Sequence, residues 1–189
     1  MNESARQPAD LAQGPSALAS AWTIALDTLA GAASVAVEAS AEQGLLSGTA
    51  TALQGRFADW AFVDLIDGQH AARAVAARDR DPGLEVGLSQ IAAHACPLIS
   101  LALRRCTPVL RQARPDDPML GSLPGGRTVS DAIGARFVAC GPIIIDGAAC
   151  GAVTVARSKN SWPLGFLELG VMALVGELAG AAAQRIRQP

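Results

Sequence analysis

The stretch FVACGPIIIDGAACGAVTVARSK, residues 137–159, decides the fold of this chain. Two β-prone runs flank the pair Asp146-Gly147, a combination that two-residue hairpin turns prefer. Both runs consist mainly of apolar and small residues, as do strands that are buried on both faces. The pattern predicts a central antiparallel hairpin in which Val138 and Cys140 face one side of the sheet and Ile143 faces the other.

A two-residue turn also predicts the register of this hairpin. It places Ile143 opposite Cys150 and Cys140 opposite Val153. The two cysteines then point to opposite faces, which excludes a disulfide between them. The four cysteines of the chain match no zinc, thioredoxin or haem-attachment spacing. We therefore interpret them as mostly buried, reduced thiols.

Length and charge limit the classes of function. The chain has 189 residues, the size of one domain with a substantial core, and a net charge of -2. Its basic residues form no stripe, which argues against nucleic acid and anionic membranes as partners. Its N-terminus does not resemble a signal peptide, and its apolar runs are broken well short of the ~20 residues that a membrane span needs. We therefore expect a cytoplasmic protein.

The N-terminal half predicts a helix followed by a hairpin. Residues 1–14 are polar and are predicted to form a flexible tail, whereas 16–44 read as one long helix. An aromatic and β-branched run then predicts strands near 57–66 and 71–78 with a turn between them. The apolar stripe of the helix consists of Leu18, Trp22, Ala25, Leu29, Ala33 and Val37.

The C-terminal half predicts short helices, an edge strand, the central hairpin and a long helix. Residues 84–106 have helical spacing, and Pro97 imposes a kink or a break. A short edge strand over 107–112 and an irregular segment over 113–127 follow, then a one-turn helix. The final helix is predicted to begin at Pro163.

Three segments together resemble a GAF domain: ADWAFVDLIDGQHAARAVAA (58–77), FVACGPIIIDGAACGAVTVAR (137–157) and FLELGVMALVGELAGAAAQRI (166–186). The resemblance covers roughly residues 16–187. It implies one α+β domain over 15–189 with a central antiparallel sheet of five or six strands. The N- and C-terminal helices would lie on one face, and short helices and loops would cover a pocket on the other.

The resemblance also implies a function. Members of the family bind cyclic nucleotides, tetrapyrroles, haem, amino acids or other metabolites, and usually dimerise through their terminal helices. We therefore expect a non-enzymatic sensory or regulatory domain that acts in signal transduction as a homodimer, with an unidentified small-molecule ligand and a signalling partner protein. One alternative is a degenerate scaffold with a filled pocket. A second is a thiol-based enzyme or sensor of the free methionine sulfoxide reductase type.

Polar residues within apolar strands are candidates for ligand contact. Asp64 lies in phase with Trp60 and Phe62, and a buried carboxylate needs a partner because its desolvation is costly. That partner could be a ligand, Arg136 or a backbone N–H group. Cys140, on the central hairpin, is a candidate for thiol chemistry in the same pocket.

Other candidates lie outside the strands. The run Gly125-Gly126-Arg127-Thr128 precedes the one-turn helix that carries Asp131, and free N–H groups there would attract an anion. His94 could ligate haem iron, but the chain has no Cys-His pair of the kind that bilin-binding relatives carry. The cyclic-nucleotide signature is incomplete, because Lys159-Asn160 is reversed and the paired acids are missing. The predicted ligand-binding residues are Trp60, Phe62, Asp64, His94, Arg127, Asp131, Arg136 and Cys140. No catalytic residue or metal ligand is predicted, and the sequence does not identify a cofactor.

A second face of the last helix consists of small residues, which include Gly176 and Gly180. Because glycine weakens a helix interior by ~1 kcal/mol relative to alanine, a close crossing is expected there. The crossing helix could belong to a second copy of the chain or be the domain's own first helix.

Overall fold

The computed structural model describes residues 15–67, 70–78, 81–158 and 162–188. The predicted tail at 1–14 and the tip of the first hairpin at 68–69 lie outside these ranges. Five strands are described: β1 (Trp60–Asp67), β2 (His70–Ala77), β3 (Val109–Gln112), β4 (Ala135–Ile145) and β5 (Ala148–Ser158). The α-helices are α1 (Pro15–Glu38), α2 (Glu42–Leu53), α3 (Pro82–Ser89), α4 (Pro97–Arg105), α5 (Val129–Ala132) and α6 (Phe166–Arg187), with 3-10 turns at Ala93–Ala95 and Pro118–Leu120.

The strands form one antiparallel sheet in the order β2-β1-β5-β4-β3. The predicted α+β class, the two hairpins and the edge position of β3 are confirmed. Pro97 begins α4 and separates it from the preceding helical turns, as its missing N–H group requires. The DG hairpin therefore lies at the centre of the sheet and supplies its longest strands.

Two apolar cores flank the sheet. On the terminal-helix face, α2 and α6 pack on the strands and α1 packs outside them, mainly on α6 and α2. On the middle-helix face, α3, α4 and α5 cover the sheet. Val138 and Cys140 belong to the middle-helix face and Ile143 to the terminal-helix face, as their alternation predicts.

The register of the central hairpin differs from the predicted one by one residue. Ile143 pairs with Gly151 and Cys140 with Thr154, because the ladder has a bulge next to Ile143. A bulge places two residues of one strand opposite one of its partner, which a simple two-residue turn does not indicate. Cys150 still packs on the face opposite Cys140, and both thiols are free.

The prediction of one helix over 16–44 is wrong. The chain leaves α1 after Glu38 and starts α2 at Glu42. Two observations explain the break. Gly48 of α2 lies so close to α1 that a Cβ there would stand 2.7 Å from Val35 Cγ1. Arg185 of α6 donates hydrogen bonds of 2.8 Å to the carbonyls of Ala36 and Ala39, which are free acceptors at the end of α1.

The predicted apolar stripe of α1 faces the core only in part: Ala25 is buried and Leu29 packs against the core, whereas Leu18, Trp22 and Val37 are exposed. The fully buried positions of α1 are the small residues Ala25, Thr28 and Ala32. Leu18, Trp22, Leu26 and Val37 are 53%, 57%, 61% and 75% exposed.

The final helix begins at Phe166 rather than at Pro163, because Gly165 caps it and its N–H group donates to Glu168 Oε2 at 2.8 Å. Both predictions for its small-residue face are wrong. A Cβ at Gly176 or Gly180 would fall far inside 3.0 Å of a carbonyl oxygen of β4. The two glycines therefore let α6 lie directly on the β4 backbone, and neither meets another helix there.

Candidate functional site

An ion pair lies at the centre of the middle-helix face. Asp64 and Arg73 are directly opposite each other on β1 and β2. Arg73 Nε donates to Asp64 Oδ1 at 2.6 Å and Nη2 donates to Oδ2 at 3.2 Å, so the contact is bidentate. Their side chains are 0% and 5% exposed. Arg73 is thus the partner that the buried carboxylate needs, and Arg136, one of the predicted partners, is exposed on β4.

The guanidinium of Arg73 connects the strands to the covering helices. It lies 5.8 Å from the ring centre of Phe62. Nη1 donates to the carbonyl of Leu88 on α3, and Nη2 donates to Cys96 Sγ, each at 3.5 Å. Cys96 in turn donates to the carbonyl of Leu120 at 3.1 Å. One chain of polar contacts therefore runs from the sheet to the 113–127 segment.

Burial keeps the thiols on this face protonated. It raises the pKa of Cys140 to about 12, although Thr154 Oγ1 donates to Cys140 Sγ at 3.3 Å and opposes the rise. Burial also raises the pKa of Cys96, and the Arg73 guanidinium limits that rise. Burial likewise raises the pKa of the Asp64 carboxyl against the pull of Arg73. A thiol is nucleophilic as its thiolate, so these two cysteines have the environment of structural residues.

Little free space remains beside the ion pair. The cavity has a volume of ≈ 10 Å³, about the room that one water requires. Small-molecule sites usually enclose ~300–1,000 Å³. The cavity is lined by Phe62, Arg73, Cys96, Ile99, Leu120 and Thr154.

The structure brings together half of the predicted ligand-binding residues. Phe62, Asp64 and Cys140 are buried on the middle-helix face, and Trp60 packs against the same core. His94 is exposed on the Ala93–Ala95 turn, and Arg136 is exposed as well. For all of the predicted residues, a role as ligand contacts stays a prediction.

The polar residues of the predicted anion site contact one another. Arg127 Nε donates to Asp131 Oδ2 at 2.7 Å, and both side chains are about half exposed. The Asp131 N–H group donates to Thr128 Oγ1 at 3.2 Å, so Thr128 caps the four-residue α5. Within the described ranges, no cluster of three or more His, Cys, Asp or Glu residues could hold a metal ion.

Sequence reasoning missed Arg73, Cys96 and Thr154 as members of this site. A signal for Arg73 was present. Strands at 57–66 and 71–78 joined by a tight turn place residue 73 opposite Asp64, and opposite charges pair across antiparallel strands. No comparable signal identifies Cys96, which reaches the strands through the fold of the segment around α3 and α4.

Two of the described helices are long and apolar enough to cross a membrane, Ser16–Glu38 and Phe166–Arg187. Such helices also occur in the cores of soluble proteins, and α6 fills that position here. Of the apolar 18-residue stretch in each helix, 17% is buried in the first helix and 44% in the second.

No family model matches the chain, and no curated protein matches it. Solved structures do match. The GAF domain of a phosphoenolpyruvate-protein phosphotransferase from Coxiella burnetii has a TM-score of 0.63 and 16% identity, over 87% of this chain and 95% of that one. Further GAF domains are among the matches.

Two other matches differ in activity. The free methionine-R-sulfoxide reductase of Neisseria meningitidis has a TM-score of 0.61 and 14% identity, over 85% of this chain and 90% of that one. A domain of a putative two-component sensor histidine kinase protein from Sinorhizobium meliloti has a TM-score of 0.52 and 15% identity, over 78% of this chain and 94% of that one. Enzymes and signalling proteins thus share this architecture, and at such identities the likeness concerns the fold. With its sheet order, its terminal helices and these neighbours, the chain has the GAF-like fold.

Proposed function

We propose that this chain is a non-enzymatic regulatory GAF-like domain that acts as a homodimer through its terminal helices, with the interior of the middle-helix face filled by its own side chains. The observation that carries the proposal is the ≈ 10 Å³ cavity beside the Asp64–Arg73 pair. A ligand there would have to displace a buried ion pair together with Phe62. The geometry favours the scaffold alternative over the small-molecule sensor.

The exposed stripe of α1 supports association. Leu18, Trp22 and Leu26 recur every four residues and are all more than half exposed. Side chains at this spacing lie on one helix face and suit a second helix. Burying each large side chain at an interface contributes about 1.5–3 kcal/mol. The only charged residues of α1 are Asp27 and Glu38, and neither belongs to the stripe. The stripe therefore carries no charge that would favour an oppositely charged partner over a second copy of the chain.

The state of the buried thiols supports a non-enzymatic role. Cys96 and Cys140 are about 1% exposed or less, and burial raises the pKa of both. Cys106 is exposed, and its Sγ donates to the carbonyl of Leu103 at 3.4 Å at the end of α4. Reductase chemistry on free methionine sulfoxide would need a thiolate that a substrate can reach.

Sedimentation velocity over a concentration series tests the dimer. The wild-type chain is expected to sediment as a dimer at micromolar concentration, and the double variant Trp22→Glu, Leu26→Glu as a monomer. Thr23→Glu is the matched control, because Thr23 is exposed on α1 outside the stripe. A wild-type monomer at high micromolar concentration, or a double variant that still dimerises, would contradict the proposal. A wild-type monomer that floats with phospholipid vesicles would instead assign the stripe to a membrane surface.

Native mass spectrometry of wild type and Asp64→Asn, isolated from their own cytosol, tests the filled interior. We expect no bound small molecule whose retention depends on Asp64. A small molecule that is released on denaturation, and that is lost with Asp64→Asn, would restore the sensor interpretation.

A further inference from the structure

We propose that a groove beside the N-terminal half of α1 binds an amphiphilic monocarboxylate, that is, a medium-chain fatty acid. The groove has a volume of ≈ 590 Å³, within the range of small-molecule sites. It lies on the terminal-helix side, away from the ion pair of the middle-helix face. Its walls come from α1, from residues 56–57 before β1 and from residues 162–168 at the start of α6.

Three arginines line the groove, and two of them have protein anions as partners. Arg157, 7% exposed, donates from Nε to the carbonyl of Phe57 at 2.7 Å and from Nη1 to Glu168 Oε1 at 3.1 Å. Arg78 Nη1 lies 2.9 Å from Asp59 Oδ1, and the Arg78 guanidinium also donates to the carbonyl of Gly55. These contacts hold the backbone at Gly55 and Phe57, the two neighbours of Arg56 in the segment between α2 and β1.

Arg56 supplies the charge that a ligand would neutralise. Its side chain is exposed, and no hydrogen bond or ion pair to it is found among the described residues. Arg78 and Arg157 are balanced by Asp59 and Glu168, so the groove keeps about one uncompensated positive charge. One anionic group of a ligand matches that balance, and a guanidinium binds a carboxylate with two parallel hydrogen bonds.

The remaining lining suits a hydrocarbon chain. Ala21 and Ile24 of α1 form one apolar wall. Trp162 and Phe166 stand at the opposite rim and are 69% and 93% exposed, which is costly for aromatic side chains unless something covers them. Each methylene that enters such a groove strengthens binding about fourfold. The site therefore combines one cationic residue with an apolar trough.

Occupation of the groove would affect the contact between α1 and α6. The ligand would touch both helices, since Ile24 lies on α1 and Phe166 begins α6. Leu18 belongs to both the α1 stripe and the groove, whereas Trp22 and Leu26 do not line the groove. Ligand binding and association of the α1 stripe can therefore be tested with separate variants.

Isothermal titration calorimetry with sodium dodecanoate, below its critical micelle concentration, tests the proposal on the full chain. We expect saturable binding of one molecule per chain. Arg56→Gln should weaken binding about tenfold, the effect of losing a charge-assisted contact. Arg56→Lys should retain most of the affinity. Arg136→Gln is the matched control, because Arg136 is exposed on β4 and does not line the groove.

Two further probes separate the charge from the apolar contact. Dodecyltrimethylammonium has the same chain with the opposite charge and should not bind. Trp162→Ala should weaken dodecanoate binding while leaving the melting temperature unchanged. The proposal is overturned by heat that appears only above the micelle concentration, by equal affinities of wild type and Arg56→Gln, or by equal binding of the cationic probe. Binding to anionic vesicles with none to monomeric dodecanoate also overturns it.

Discussion

Replacing Gly176 by alanine will force α6 away from β4. A Cβ at this position would meet the carbonyl oxygen of Pro142, and a second backbone atom, the carbonyl carbon of Pro142, would lie at 3.2 Å. Backbone atoms of a central strand cannot move aside as a flexible side chain can, so the helix must withdraw by roughly 1 Å. A gap of that size forfeits about a quarter to a half of each van der Waals contact along the interface. Overpacking of this kind typically costs about 1–3 kcal/mol.

The intrinsic helix preference acts in the opposite direction. Alanine is favoured over glycine by about 1 kcal/mol in a helix interior. We expect the overpacking to dominate and Gly176→Ala to lower the free energy of unfolding by about 1 kcal/mol net, or the melting temperature by roughly 2–4 °C. Urea unfolding followed by circular dichroism and tryptophan fluorescence would measure the change.

Gly170→Ala is the matched control on the same helix. Gly170 is exposed, and a Cβ there would have nothing within 4 Å. This substitution should raise the free energy of unfolding by up to about 1 kcal/mol. If Gly176→Ala is as stable as the wild type or more stable while Gly170→Ala gains stability, the close contact between α6 and β4 is refuted.

Three other predictions concern the middle-helix face. Ellman's reagent should modify exposed Cys106 in the native protein but reach Cys96 and Cys140 only after unfolding; rapid modification of either buried thiol would contradict their packing. Because burial raises the pKa of Cys140 from 9.0 to about 12, its contribution to stability is complete below pH 9 and falls as pH rises above it. Between pH 8 and pH 10, urea unfolding should show a loss of stability that is about 1.4 kcal/mol smaller in Cys140→Ser than in the wild type, and an equal loss in the two proteins would exclude Cys140 as a source. Asp64→Asn should cost about 3–5 kcal/mol because it leaves Arg73 buried without its counter-charge, whereas the pair Asp64→Leu, Arg73→Met should cost far less in a urea titration; equal costs would contradict this account.

The sheet was predictable because its signals are local. Asp146-Gly147 fixes a turn, alternation assigns Val138 and Ile143 to opposite faces, and the resemblance to GAF domains implies one central antiparallel sheet. The bulge beside Ile143 was not predictable, because it depends on how β5 meets both of its neighbours. One unpaired residue there shifts the register from Ile143 to Phe137, while Ile144 and Ile145 keep the pairing that the turn predicts.

The helices were less predictable because their packing is not local. The stripe of α1 is periodic, but periodicity does not distinguish a core face from a face for a second helix. Gly176 and Gly180 indicated a close approach without indicating to what. The Asp64–Arg73 pair followed from the predicted hairpin, whereas its contact with Cys96 required the path of the chain between β2 and α4.

The small side chains through which α1 meets its neighbours have a mechanical consequence. Ala25 and Ala32 bury little area each, and Ile24, Leu29 and Val35 are only partly buried, so less free energy opposes the lifting of α1 than holds the buried leucines of α2. Local opening of the domain should therefore begin at this helix while the sheet stays intact. When α1 opens, the outer surface of α6 is uncovered. The α1 helix of a second molecule could then pack there, so that two chains exchange this helix by domain swapping without refolding the rest.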